Sequence, residues 1–202
     1  MAGVRQFDEG EMLERALNLF WQKGYSQTTM QDLAEATGVQ RGSLYNAYGD
    51  KETLFLRVFG VYREKYVVQM RDALEQPGLR ESLRSFFDFA ISSMRTGQPT
   101  RGCLSTKTAV GVEELDEPLR TALKDLLDEI EAALYDRLSR AEEAGKLAIS
   151  PREAAQLLVT HTRGLVVIER VYQDEDRLRS MADLLIDLLL VPEKTRRSKR
   201  VQ

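Results

Sequence analysis

A cluster of polar side chains between residues 40 and 46 has the chemistry needed to contact a nucleic-acid duplex. Its members are Gln40, Arg41, Ser43, Tyr45 and Asn46. Arginine and glutamine can hydrogen-bond to base edges in the major groove, whereas hydroxyl and amide groups also reach phosphate oxygens. The residue types therefore predict a surface that contacts double-stranded DNA.

Two short helices are required to position this cluster. Ala34 and Gly38 lie four residues apart, and apolar Leu33, Val39 and Leu44 surround them. The small alanine lets a second helix cross the first closely, and the glycine turns the chain without the steric cost of a Cβ atom. The spacing predicts a helix-turn-helix with a small core of its own, whose remaining polar face carries the cluster.

The rest of the chain also shows helical spacing of apolar residues, and it lacks the alternating pattern of a strand. We expect an all-α protein of about nine helices, in which an N-terminal three-helix head joins a C-terminal helical bundle through a long fourth helix. Capping signals include Thr28 with Gln31, Asp50, and Ser150-Pro151 with Glu153. The predicted helices cover about residues 8–23, 28–37, 40–48, 51–74, 79–94, 103–112, 118–145, 151–172 and 175–190.

Three regions are predicted. We expect residues 1–50 to form a helix-turn-helix DNA-binding domain, residues 51–193 to form the helical bundle, expected below to bind a ligand and to dimerise, and residues 194–202 to form a basic tail. The tail carries five basic residues between Lys194 and Arg200, and we expect it to be disordered.

The charge distribution does not favour general attraction to DNA. The chain has a formal net charge of −3, and residues 1–51 contain five basic and seven acidic side chains. A generic nucleic-acid-binding protein is basic. Affinity would therefore have to come from local placement, in which helix N-termini and a few cations face phosphate and the acids point elsewhere.

Composition argues against several other classes of protein. With one cysteine and one histidine, the chain has neither a disulfide framework nor an evident zinc site, and we expect no metal and no cofactor. No apolar run approaches the roughly 18–20 residues of a membrane span, and the first residues lack a secretory signal, so we expect a cytoplasmic protein. The chain also lacks a Gly-x-Ser-x-Gly motif and a phosphate loop, which argues against an enzyme.

The segment from Phe20 to Phe55, which contains GYSQTTMQDLAEATGVQRGSLYNAYGDKETLF, resembles the TetR family of transcriptional repressors. At matching separations it has Gly-Tyr, Thr-Thr, Ala, Gly-Val, Leu-Tyr and Lys-Glu. The second half of the chain resembles the family only in the number and spacing of its helices. The resemblance implies a homodimeric repressor that binds a palindromic operator and is released by a small-molecule effector.

The resemblance also implies a role for individual residues. Thr28 and Thr29 open a helix that faces a phosphate, and Lys51 faces another phosphate. Base edges would be read from Gln40, Arg41 and Ser43, while Tyr45 and Asn46 would contact the DNA backbone. Many family members have Ser or Thr at the position of Gln40. Because glutamine is a poor helix cap, its amide could instead be free to read adenine.

Two further sets of residues are predicted in the second half. An aromatic-rich set would line an effector cavity between bundle helices, with a plain packed core and a structural histidine as the alternatives: Phe59, Tyr62, Phe86, Phe87, Met94, Cys103 and His161. Apolar stripes on the last two helices are too wide for one subunit to cover and predict a dimer interface. Its predicted residues are Leu158, Leu165, Leu178, Met181, Leu185 and Leu188.

Two alternative functions stay open. Cys103 lies at the predicted start of a helix and near Arg101 and Lys107, an environment that favours a reactive thiolate. It would then sense electrophiles or oxidants, although a free cysteine is more often a small buried apolar residue. The acidic head leaves a second alternative, a helical adaptor that does not bind DNA.

Overall fold

The computed structural model describes residues 8–97, 100–140 and 145–192. These residues form nine α-helices, and their only β-type pairing is an isolated bridge between Leu147 and Leu190. The all-α prediction is therefore confirmed. The helices are α1 (Glu9–Lys23), α2 (Met30–Thr37), α3 (Arg41–Tyr48), α4 (Lys51–Leu74), α5 (Leu79–Arg95), α6 (Leu104–Val110), α7 (Glu117–Leu138), α8 (Pro151–Tyr172) and α9 (Glu175–Leu189).

Most predicted helix ends agree with the structure within two residues, but the cap of α2 and the end of α7 do not. The capping box of Ser150 and Glu153 is present at α8, and the Asp50 carboxylate accepts the Thr53 amide at 2.7 Å at the start of α4. The predicted cap of α2 at Thr28 is wrong, because Thr29 caps this helix. Helix α7 ends at Leu138, earlier than predicted. Residues 141–144 and the basic tail lie outside the described residues.

The chain divides into two compact units that differ from the predicted regions. The first contains the described residues up to Tyr66 and those from 97 to 126; the second contains 67–96 and the described residues from 127 onward. Both α4 and α7 are divided between the units. The first half of α4 belongs with the head because Phe55 packs edge-on against Phe20 of α1, with ring centroids 4.9 Å apart. Helix α6 joins the same unit through contacts with α1.

The second unit has an apolar core among α5, α8 and α9, with ion pairs between α5 and α9. Arg80 pairs with Asp187 at 2.5 Å, Arg84 pairs with Asp183 at 2.7 Å, and Asp88 pairs with Arg179. Because these positions step along α5 as they step back along α9, the two helices are antiparallel neighbours. No helix among the described residues is long and apolar enough to cross a membrane.

One buried charge has a structural role in this unit. The Arg137 side chain on α7 is only 2% exposed. Its guanidinium donates to the carbonyl oxygens of Leu74 and Gln76, each at 3.2 Å. The last carbonyls of a helix have no partner within the helix and carry partial negative charge. Arg137 therefore caps the C-terminus of α4 from a neighbouring helix.

Candidate nucleic-acid interface

Gly38 sets the turn between α2 and α3. Its φ of 72° lies in the left-handed region that favours glycine, and its amide donates to the Ala34 carbonyl at 3.0 Å. Leu33 and Leu44 are fully buried, and Val39 is buried beside them. The small core predicted for the helix-turn-helix is therefore confirmed.

Helix α3 presents the predicted polar cluster to solvent. Gln40, Arg41, Tyr45 and Asn46 are exposed and Ser43 is half-buried, whereas Leu44 is buried below them. The helix has no acidic residue, and Arg41 is its one cation. This exposed surface can therefore approach a phosphate backbone without a carboxylate of its own to repel it.

The N-terminus of α3 has no side-chain cap. Gln40 occupies the N-cap position, where its carbonyl accepts the amides of Ser43 and Leu44 at 2.9 and 3.1 Å, but its side chain makes no capping hydrogen bond. The expectation that glutamine does not cap this helix is confirmed. Free amides at a helix N-terminus attract anions, so this end of α3 suits a phosphate oxygen.

Arg41 and Tyr45 interact one helical turn apart. The Arg41 Nη2 atom lies 3.5 Å from the Tyr45 hydroxyl oxygen, and its guanidinium carbon lies 5.4 Å from the centre of the Tyr45 ring. These are weak contacts at an exposed site. The Arg41 guanidinium thus has a nearby aromatic surface but is free to move onto a base or phosphate.

The two threonines before α2 have different environments. Thr28 is fully buried, and its hydroxyl donates to the Gly24 carbonyl at 2.6 Å. Its side chain therefore supports the loop and has no surface for the phosphate contact implied above. Thr29 is exposed and forms a capping box with Asp32. Hydrogen bonds lower the pKa of Asp32 to about 2; the bond from Lys23 has the largest effect, and those from Thr29 come next.

Lys51 is partly engaged by the protein itself. Its ammonium donates to the Tyr25 carbonyl at 3.0 Å and lies 4.4 Å from the centre of the Tyr25 ring. Burial lowers the pKa of Lys51. The lysine therefore joins the loop after α1 to the start of α4, and an ammonium has further donors to offer a phosphate from this position.

The acidic side chains of the head lie outside α3 and have partners within the protein. Asp8 and Asp50 accept backbone amides of the helices they precede, at 3.0 and 2.7 Å. The other five are held by side chains: Glu9 by Arg57 and Tyr48, Glu11 by Arg15, Glu14 by Lys65, Asp32 by Lys23, and Glu35 by Gln31. This arrangement agrees with the expectation that local placement offsets the acidic balance.

Comparison with known proteins assigns this chain to a family. Residues 12–58 match the family model of bacterial regulatory proteins of the tetR family, and residues 79–185 match the tetracyclin repressor-like C-terminal domain. An uncharacterized HTH-type transcriptional regulator of Bacillus subtilis, YezE, is 30% identical over 94% of this chain and all of its own length. The chain belongs to the TetR family.

Other relatives agree with this assignment. The HTH-type transcriptional repressor ComR of Escherichia coli is 28% identical and covers 70% of this chain, which spans 68% of ComR. Among solved structures, a cysteine mutant of the TetR family regulator CifR, complexed with 26-base-pair operator DNA, is 27% identical with a TM-score of 0.81. The alignment covers 93% of this chain and 100% of that one. This chain is a TetR-family transcriptional regulator.

The predicted effector-binding residues of this TetR-family regulator fall into two separate sets. Phe59, Tyr62 and Cys103 belong to the first unit. The second unit contains the other four: Phe86, Phe87, Met94 and His161. Phe59 and Tyr62 pack with ring centroids 5.6 Å apart, and Phe86 and Phe87 with centroids 5.3 Å apart. All five aromatic and methionine side chains are buried, which agrees with the packed-core alternative.

His161 joins three helices of the second unit. Its ring lies edge-on to Phe87 of α5, with centroids 5.7 Å apart, and it hydrogen-bonds to the backbone of Met181 in α9. Its Nε2 atom is buried without a hydrogen-bond partner among the described residues. Burial lowers the pKa of His161, and the bond to Met181 partly opposes this. The histidine is therefore favoured in its neutral form.

The predicted interface residues on α8 and α9 face in two directions. Leu158, Leu165 and Leu178 are fully buried within the single chain, and this excludes them as contacts for a second copy. Met181 and Leu185 are half-buried, and Leu188 is exposed. The outward apolar face of these helices consists of Leu157, Val167, Val171, Tyr172, Leu184 and Leu188. The sequence pattern mixed the two stripes because both have similar residues.

Sequence reasoning missed a group of contacts between residues 101–111 and residues 21–26, which comprise the end of α1 and the loop after it. Arg101 stacks on Trp21, Lys107 donates to the Trp21 carbonyl, and Ser26 donates to the Gly111 carbonyl. These residues are about 80 positions apart in the chain. Helical periodicity contains no signal for such a pairing, because it reports only which side of one helix is apolar.

Proposed function

We propose that this TetR-family regulator is a dimeric repressor that binds a palindromic operator and is released by a small-molecule effector. Each subunit would place α3 in the major groove. The observation that carries this proposal is the surface of α3, which is exposed, polar, free of acids and uncapped at its N-terminus. A helix in a helix-turn-helix with this composition is suited to the major groove.

The residues of α3 and its neighbours would have distinct roles. Gln40, Arg41 and Ser43, at the start of the helix, would contact base edges, because the N-terminal residues of a recognition helix reach deepest. The DNA backbone would be contacted by Tyr45, Asn46, Thr29 and Lys51. Thr28 is left out of this set because its hydroxyl is buried and already donates to Gly24.

Dimerisation would use the outward face of α8 and α9. Six large apolar side chains on these two helices are between 48% and 69% exposed. Several exposed, large apolar side chains on one helix pair are typical of a protein interface. A two-fold axis would pack this face against itself, form a four-helix interface and set two copies of α3 at the separation of the operator half-sites.

Effector binding would act through the second unit. The mostly apolar core among α5, α8 and α9 contains a histidine whose Nε2 atom has no partner, and small-molecule sites are apolar with a few polar groups. An effector there would shift α4, which runs through both units. Because half-sites lie about 34–36 Å apart, a shift of a few ångströms would misalign the two recognition helices.

Selection from a random duplex library tests the proposal. The wild-type protein is expected to enrich an inverted repeat, and its affinity should fall with salt, because phosphate contacts release counterions. The matched control is Glu35→Gln, which alters an exposed acid of α2 that is not among the proposed DNA contacts and should therefore enrich the same inverted repeat. Enrichment of no sequence would contradict the proposal and would favour the adaptor alternative.

A second candidate function is thiol sensing by Cys103. The Cys103 side chain is partly exposed at the N-cap of α6, and its Sγ atom lies 3.1 Å from the Ser105 hydroxyl. It lies within the segment that contacts α1, so that added bulk could disturb the head. The test is alkylation with iodoacetamide, followed by measurement of operator affinity. Cys103→Ser should be insensitive; an unchanged affinity in the alkylated wild type would contradict this function.

A further inference from the structure

Trp21 is the point where the head meets residues 101–111. It is the single tryptophan of the chain and is only 5% exposed. The Tyr62 ring of α4 packs edge-on against it, with centroids 5.2 Å apart. The 101–111 segment, which comprises the residues before α6, α6 itself and Gly111, also contacts it through Arg101 and Lys107. Helix α4 and the residue Arg101 therefore contact the Trp21 ring, and α6 contacts its backbone.

The stack between Arg101 and Trp21 has close geometry. The Arg101 guanidinium carbon lies 3.8 Å from the centre of the Trp21 ring. Arg101 is half-buried, so its cation is partly shielded from water, and this burial lowers its pKa. A cation over an indole ring is the strongest arrangement of this kind, and partial desolvation strengthens it. Loss of the guanidinium would therefore free the Trp21 ring on that side.

Two hydrogen bonds reinforce this stack and cross between the same pieces of chain. The Lys107 ammonium donates to the Trp21 carbonyl, and the Ser26 hydroxyl donates to the Gly111 carbonyl at 2.6 Å. The aliphatic part of the Lys107 side chain also passes close to Gly24, where α1 ends. It lies 3.8 Å from the position that a Cβ atom would occupy if Gly24 had a side chain. The C-terminal turn of α1 and the loop that follows are thus held at several points along 101–111.

We propose that Arg101 and Lys107 are positioning residues for operator recognition. They fasten the 101–111 segment to Trp21 and thereby fix the orientation of α1–α3 relative to that segment. This inference rests on the proposed function. Neither residue touches DNA in this scheme. They act by narrowing the range of directions in which α3 is presented, so that less ordering is needed when the two heads engage two half-sites.

Half-site spacing provides a readout specific to orientation. One base pair added between the half-sites moves one of them by about 3.4 Å and turns it by about 35°. A firmly held head discriminates against this change, whereas a loosened head tolerates it. A smaller folded fraction lowers affinity for both spacings in equal proportion, so the ratio of the two affinities is independent of a general loss of stability.

The experiment compares Arg101→Met and Lys107→Met with the wild type, using the operator selected from random duplexes and its derivative with one added base pair. Both variants are expected to bind the selected operator about tenfold more weakly. Their spacing preference, which is the affinity for the selected operator divided by that for the derivative with one added base pair, should fall to about threefold or less. Arg71→Met removes an exposed cation from the last turn of α4 and is the matched control. It should retain both values.

Trp21 fluorescence gives a second measurement that needs no DNA. Because the chain has one tryptophan, the change in emission on Arg101→Met reports the stack directly. Unchanged emission would overturn the assignment of Arg101. If the wild type selects an operator and both variants keep its affinity and spacing preference, the inference is overturned and the proposed function stands. If the wild type selects no operator, the proposed function fails and this inference with it.

Discussion

Replacement of Leu184 tests the dimer interface most directly. Leu184 lies on the outward face of α9 and is 61% exposed in the single chain. Full burial of a leucine side chain contributes about 1.5–3 kcal/mol, so burying the exposed part contributes about 1–2 kcal/mol. Each substitution appears twice in a symmetric dimer. Leu184→Ala should therefore cost about 2–4 kcal/mol and raise the dimer Kd about 30- to 700-fold.

Sedimentation equilibrium over a range of protein concentrations measures this change. Leu188→Glu, at another exposed position of α9, should be more severe because it places a carboxylate from each subunit in an apolar contact. The matched control is Leu158→Ala on α8. Its side chain is fully buried, so it should lower the free energy of unfolding by about 2–5 kcal/mol.

The comparison between exposed and buried leucines distinguishes a loss of the dimer interface from a loss of stability within the subunit. At a temperature where all variants are folded, Leu158→Ala should leave the dimer Kd within about threefold of wild type, whereas Leu184→Ala should not. If Leu184→Ala and Leu188→Glu both keep the wild-type Kd, the interface is not on this face of α9. A monomeric wild type would refute the proposed dimer itself.

Three other predictions concern DNA contacts, a buried charge and pH. Arg41→Ala should cost about 1–3 kcal/mol and relax preference at one base position, whereas Lys51→Ala should weaken binding to all sequences about equally, as measured by gel shift on mutated operators. Arg137→Met should lower the free energy of unfolding in urea by about 1–3 kcal/mol, because the Gln76 carbonyl loses its guanidinium donor while the Leu74 carbonyl keeps the Ser82 hydroxyl; Arg71→Met should have little effect. Because burial lowers the pKa of His161, the unfolded chain binds this proton more tightly than the folded protein, and stability should decrease as pH falls below about 6.5. His161→Gln should reduce this decrease in thermal melts between pH 7.5 and 5.5, and an equal decrease in both proteins would contradict it.

The sequence predicted the helices well because their ends carry local chemical signals. Ser150 with Glu153 marks α8, and Asp50 marks α4, since each side chain bonds to backbone a few residues away. The wrong cap of α2 shows the limit of such signals. Thr28 and Thr29 are adjacent and chemically identical, and only the packing of Thr28 against the Gly24 carbonyl decides which one is free to cap.

The candidate site was predictable where it depends on one or two neighbouring helices. Leu44 and Tyr48 form the buried side of α3, and this leaves Gln40, Arg41, Tyr45 and Asn46 exposed. The inner and outer stripes of α8 were not separable, because leucines occur on both.

Sites that depend on contacts distant in the chain were also beyond sequence reasoning. The contact of Arg101 with Trp21, and the division of the predicted effector residues between two units, depend on which helices are neighbours in space. Local periodicity does not determine that arrangement.

The acidic balance of the head is compatible with selective recognition of DNA. Five of its acids are held by side chains and two by backbone amides, whereas the uncapped N-terminus of α3 and the guanidinium of Arg41 remain available. Sequence-independent affinity depends on the number of phosphates that cations neutralise, and this head has few cations to offer. Contacts to base edges do not depend on net charge in this way. A larger share of the binding free energy should therefore come from correctly placed base contacts, which makes the orientation of α3 matter more here than in a strongly basic head.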